Sequence, residues 1–176
     1  MLENLESYQY NILKENAQDQ LVILPRRRGK THIILEKINY REDYRQVGVI
    51  LPNNSLIKSF LADAEKYFKV QFLMYYKQSN IYEFENVKGD TIIVCLFNGS
   101  TPIYKLKGLK FDLFLDCLFI DEGDYVDFYM LYTIFSVYKD LYVTGTLKYS
   151  SPQLNSCMGH LCYNHLEDFK LVNGLM

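Results

Sequence analysis

Short apolar runs alternate along the chain with stretches whose apolar residues recur at helical spacing. Residues 20–24, 46–51, 113–120 and 141–143 are compact and rich in Val, Ile and Leu, and each reads as a buried strand. Residues 5–17, 31–39, 56–68 and 126–138 carry the wider period of helices packed on a sheet. Between the second strand and its helix, Pro52-Asn53-Asn54-Ser55 supplies a turn and an N-cap. Residues 81–85 and 91–97, joined across Asn86-Val87-Lys88-Gly89, predict an antiparallel hairpin. Strand and helix in alternation imply a parallel sheet. The expected fold class is therefore α/β: a three-layer sandwich, its central sheet mainly parallel and flanked by helices, with an added hairpin.

At 176 residues and 49% apolar composition, the chain can bury one core, and a single domain over 1–176 is expected. Its main part is placed at about 5–150, with 151–176 as a C-terminal extension or lid. A formal charge of -2 argues against a dedicated nucleic-acid coat, so any such contact must be local. The acidic N-terminus does not resemble a secretory signal, and the apolar stretch 111–120 is too short to span a bilayer. A cytoplasmic, non-secreted protein is expected, with Cys95, Cys117, Cys157 and Cys162 as reduced thiols. The chain is rich in Tyr, with 16, and has no Trp; packing accounts for those rings as readily as a partner surface does.

The first chemical signal lies between the first strand and the next helix. Gly29-Lys30-Thr31 matches the end of the phosphate-binding loop G-x-x-x-x-G-K-[ST], with Leu24 in place of the first glycine. In such a loop backbone N–H groups wrap phosphate, the lysine reaches the β and γ oxygens, and the hydroxyl binds Mg²⁺. Arg26, Arg27 and Arg28 crowd the same turn. Three like charges there repel one another unless an anion neutralises them, and a triphosphate such as ATP would do so. A solvated basic turn is the bland alternative.

The second signal is Asp121-Glu122 at the end of the 113–120 run. An aspartate at a strand tip can hold magnesium, and the adjacent glutamate can polarise an attacking water. Both clusters follow buried strands, so both belong on one edge of the sheet, where ligands of α/β proteins bind. The expected site thus has Lys30 and Glu122 as catalytic groups and Thr31 with Asp121 as metal ligands. Pro25, Arg27, Arg28 and Gly29 complete the phosphate loop.

With these motifs in order, the chain resembles the ATPase domain of the large terminase subunit of tailed bacteriophages, over roughly residues 5–150. Ser7-Tyr8-Gln9-Tyr10 is similar to that family's upstream Tyr-Gln element, which implies that Gln9, beside Tyr8, reads the adenine edge. Arg26 matches the Walker A arginine, which implies a role in stabilising γ-phosphate charge. Leu106-Lys107-Gly108 resembles the Leu-Arg-Gly element before Walker B. Thr144-Gly145-Thr146 resembles the coupling motif shared with helicases. The resemblance implies ATP hydrolysis with Mg²⁺ in a ring of identical subunits on a portal or capsid vertex. It also implies double-stranded DNA as the translocated partner and the host cytoplasm as the location of a viral protein.

The resemblance stops short of a nuclease domain, for which the tail after Pro152 leaves no material. A helicase-like or DNA-repair ATPase and a non-catalytic nucleotide-binding module both remain alternatives. Gln9 also reads as a solvated helix residue, and Thr144 and Thr146 as turn caps. Cys157, His160, Cys162 and His165 match no zinc spacing and read as structural.

Overall fold

The computed structural model describes residues 7–15, 19–24, 27–76, 79–99, 115–125, 138–146 and 169–173. Among the described residues three α-helices, α1 (Ser7–Lys14), α2 (Lys30–Tyr40) and α3 (Asn54–Ala64), accompany eight strands. The strands are β1 (Asp19–Ile23), β2 (Gln46–Leu51), β3 (Lys69–Tyr76), β4 (Ser79–Glu85), β5 (Thr91–Asn98), β6 (Leu115–Ile120), β7 (Tyr138–Gly145) and β8 (Phe169–Asn173). They form one sheet in the order β3-β4-β5-β2-β6-β7-β1-β8.

From β5 to β8 every pairing is parallel, whereas β3 with β4 and β4 with β5 pair antiparallel. The fold is α/β, with a mostly parallel sheet flanked by helices. Adjacent residues Leu21 and Val22, or Leu118 and Phe119, are both buried although they point to opposite faces, so the sheet is covered on both sides. On the helical side, Ile12 of α1, Ile33 and Ile34 of α2, and Ile57 and Phe60 of α3 join Val22, Val49, Leu96 and Phe119 in one apolar cluster.

Local chemistry explains the element ends. The Asn53 side chain accepts from the Leu56 N–H at 3.0 Å and starts α3 as an N-cap. The β4–β5 turn is closed by Asn86 Oδ1, which accepts from the N–H groups of Lys88 and Asp90, and by Gly89 at φ 85°.

Several boundaries correct the sequence reading. The helix expected over 56–68 ends at Ala64, because residues 65–68 tighten into turns that set Phe68 against Phe84 at 5.2 Å between ring centroids. The strand that follows, β3, was not foreseen, nor was β8 beside β1. Tyr138 pairs with Leu115 and opens β7 instead of ending a helix. The rest of the helix expected over 126–138, residues 126–137, lies outside the described residues.

Candidate functional site

Sheet order decides what meets at the carboxyl edge. Strand β7 lies between β1 and β6, with Ile23 in register with Gly145 and Ile120 with Val143. The loop after β1, the carboxylates after β6 and the last residues of β7 are therefore neighbours at one sheet edge.

The loop after β1 begins with Leu24, whose N–H donates to the Gly145 carbonyl at 3.0 Å. The Leu24 side chain, one residue past the end of β1, belongs to the apolar cluster with Ile33 and Ile34. Arg27, at φ 60°, and Gly29, at φ 71°, then bend the chain sharply into α2. Glycine suits position 29 through its positive φ, and a Cβ there would stand 2.8 Å from Gln9 Nε2, so the end of that side chain would have to shift. Pro25 and Arg26 lie outside the described residues, as do the Leu106-Lys107-Gly108 element and the Cys157 to His165 group.

Lys30, the first residue of α2, is buried at 6% exposure, and its side chain runs to the carboxylates. Its Nζ donates to Thr146 Oγ1 at 2.9 Å and lies 3.2 Å from Glu122 Oε1. Thr146 Oγ1 in turn donates to Glu122 Oε2 at 3.2 Å. Thr31 Oγ1 donates to Asp121 Oδ2 at 2.6 Å, and Thr144 Oγ1 donates to Asp121 Oδ1, also at 2.6 Å. Each oxygen of Asp121 is thus held by a different hydroxyl. The Glu122 N–H donates back to Thr144 Oγ1 at 3.1 Å, and Glu122 itself is bent to φ 52°.

Burial pushes the Asp121 carboxyl above the ordinary carboxylate range, and the hydrogen bonds from Thr144 and Thr31 work against that shift. A cation beside Asp121 would favour its ionised form in the same sense. Thr31 Oγ1 and Asp121 Oδ2 are adjacent hard oxygen donors, a pair that suits Mg²⁺, which binds through one or two protein oxygens and keeps its remaining positions for water and phosphate. Among the described residues no group of three or more His, Cys, Asp and Glu side chains could hold a metal on its own.

Tyr8 and Gln9, on α1, approach the same loop from the side. Tyr8 OH donates to the Arg28 carbonyl at 3.2 Å and Gln9 Nε2 to the same oxygen at 3.4 Å. Gln9 is buried at 7% exposure, so it is no solvated helix residue. The structure thus brings Tyr8, Gln9, Arg28, Gly29, Lys30, Thr31, Asp121, Glu122, Thr144 and Thr146 into one continuous region. Arg27 is exposed at its rim.

Two residues went unnoticed in the sequence, Gln20 and Lys37. Lys37 falls within 31–39, the stretch of helical spacing, and a lysine among its apolar positions is the available signal. Both are buried beneath α1.

No protein-family model matches the sequence, and no curated protein matches it. Solved structures do match. The large terminase ATPase domain of Thermus phage P74-26 is 16% identical with a TM-score of 0.55, over 82% of this chain and 65% of that one. The large terminase of the thermophilic bacteriophage D6E is 11% identical with a TM-score of 0.68, over 95% of this chain and 45% of that one. The same D6E protein in complex with ADP gives 13% identity and a TM-score of 0.63, over 96% of this chain and 45% of that one. The chain accordingly spans about two thirds of the P74-26 domain and less than half of the D6E protein. The chain has the fold of a bacteriophage large terminase ATPase domain.

Proposed function

We propose that the chain hydrolyses ATP, with Mg²⁺, as the motor domain of a terminase-like machine that drives double-stranded DNA into a viral capsid. The observation that carries this reading is the linked set Lys30, Thr146, Glu122, Thr144, Asp121 and Thr31, joined by contacts of 2.6 to 3.2 Å. These are the groups that γ-phosphoryl transfer to water requires: a cation for the phosphates, a hydroxyl and carboxylate for the metal, and a second carboxylate for the water. The D6E terminase in complex with ADP, a protein of the same fold, supports a nucleotide as the ligand.

In this mechanism Gly29 and its neighbours receive the phosphates, and Lys30 turns from Glu122 towards their oxygens. Losing that cation frees the Glu122 carboxylate to accept a proton from the attacking water. Thr31 and Asp121 would hold Mg²⁺, which when bound would supply positive charge to offset that of the phosphates. Thr144 keeps Asp121 fixed while this happens. Arg26 is assigned to the γ-phosphate, Gln9 and Tyr8 to the base side of the nucleotide, and Thr144-Gly145-Thr146 to passing the change on to DNA. Assembly as a ring on a portal or capsid vertex belongs to the same proposal.

Leu24 does not speak for a non-catalytic module, since its side chain belongs to the core and not to the phosphate-facing bend. Phosphate release should be measured for wild type and Lys30→Ala with and without double-stranded DNA. Turnover that Lys30→Ala abolishes and DNA stimulates is expected. ATP binding without release under all conditions would overturn hydrolysis, and stimulation by single-stranded DNA alone would move the chain to the helicase-like class.

A further inference from the structure

The side chain of Lys37 is almost wholly buried, at 2% exposure, on the stripe of α2 that also carries Ile33, Ile34 and Ile38. A leucine or methionine would pack there without the cost of desolvating an ammonium. The charge is instead directed at three neutral oxygens. Nζ donates to the carbonyls of Ile12 at 3.5 Å and Glu15 at 3.1 Å and to Gln20 Oε1 at 2.9 Å. Gln20 Nε2 closes the set by donating to the Glu15 carbonyl at 2.9 Å. The ring of Tyr142 completes the surroundings, its centroid 5.1 Å from Nζ. Burial brings the ammonium down to about 8, so it remains mostly charged at neutral pH.

Ile12 lies in the last turn of α1 and Glu15 just past it, where the Ile12 carbonyl accepts a long 3.3 Å bond from the Glu15 N–H and the helix dipole is negative. A cation suits that position. The other end of α1 carries Tyr8 and Gln9, whose side chains reach the Arg28 carbonyl of the loop before α2. Helix α1 is therefore fastened to the α2 segment at two points, separated by about two turns, or roughly 10 Å, of α2.

We infer that Lys37 is a positioning residue of the nucleotide site, clamping the C-terminal end of α1 so that Tyr8 and Gln9 stay in place against the phosphate loop. The inference rests on the proposed function, in which those two residues meet the nucleotide. Lys37 touches no nucleotide itself and acts through α1.

Lys37→Met keeps the volume and removes the clamp; Lys37→Arg keeps the cation. Two readouts separate positioning from general stability: the KM for ATP against kcat, and amide hydrogen exchange resolved by element. Lys37→Met should raise KM about tenfold with kcat nearly unchanged, and Lys37→Arg should recover most of that loss. Exchange in Lys37→Met should quicken in α1 while β2, β5 and β6 keep their protection. Unchanged KM, or exchange that rises evenly across the sheet, would overturn the inference. If wild type proves not to bind ATP, the proposed function fails, and the exchange pattern still decides whether the clamp on α1 exists.

Discussion

Thr146 stands between Lys30 and Glu122, accepting from the ammonium at 2.9 Å and donating to the carboxylate at 3.2 Å. Lys30 and Glu122 also meet directly at 3.2 Å, so the three groups form a closed triangle. In the proposed function this triangle is the resting arrangement, and an arriving γ-phosphate competes with Glu122 for Lys30.

Glu122→Gln removes the proton acceptor while keeping the shape. Single-turnover phosphate release should fall by about 10²-fold or more, with ATP affinity little changed. Release at the wild-type rate would exclude Glu122 as the base.

Thr144 and Thr146 should respond differently to loss of the hydroxyl. Thr144 is fully buried and serves both Asp121 Oδ1 and the Glu122 N–H. Thr144→Val leaves both without that partner and should cost about 1–3 kcal/mol of stability, seen as a lower Tm. Thr144→Ser should retain most of it. Thr146→Val should leave Tm nearly unchanged and lower kcat instead; equal Tm losses in the two valine variants would contradict this division.

Gly29 and Gly89 share positive φ, at 71° and 85°, but differ in surroundings. A Cβ at 29 would collide with Gln9 Nε2 at 2.8 Å, whereas at 89 nothing lies within 4 Å. Both alanine variants should lose about 1 kcal/mol to backbone strain. Only Gly29→Ala should also lose nucleotide binding, as titration calorimetry would register; equal ATP affinity in the two variants would refute the difference.

Arg41 donates to both oxygens of Asp43 at 2.8 Å, and this pairing lowers the Asp43 carboxyl from 3.8 to about 2. The folded-state value lies below the unfolded one, so the stability it contributes is present above about pH 4 and is lost as pH falls towards 2. Asp43 is half exposed, which limits the contribution to about 0.5–1 kcal/mol. In urea unfolding, the stability gap between wild type and Asp43→Asn should narrow over that interval. A gap that stays constant down to pH 2 would disprove the linkage.

Much of the site was legible because each half of it is local. A strand, a bend that needs Gly29 and a helix starting at Lys30 are consecutive in the chain, as are β6 and Asp121-Glu122. Gln9 was singled out only through a family resemblance, because its contact with Arg28 crosses between two elements. Strand β3 escaped notice because its central residues, Phe72, Leu73, Met74 and Tyr75, are all exposed on an edge strand. No alternation of buried and exposed positions marks it.

The sequence by itself determined the class of fold, the order of its elements apart from β3 and β8, the cap at Asn53, the β4–β5 turn and the residue types at the two strand ends. Those depend on periodicity and on backbone preferences within a few residues. Only the tertiary structure decided that β7 lies between β1 and β6, which makes Thr144 and Thr146 the bridge between Lys30 and the carboxylates. It also decided that Lys37 meets α1. Lateral order in a parallel sheet is set by how crossover helices pack, and contacts between residues 116 positions apart, such as Lys30 and Thr146, leave no local pattern to read.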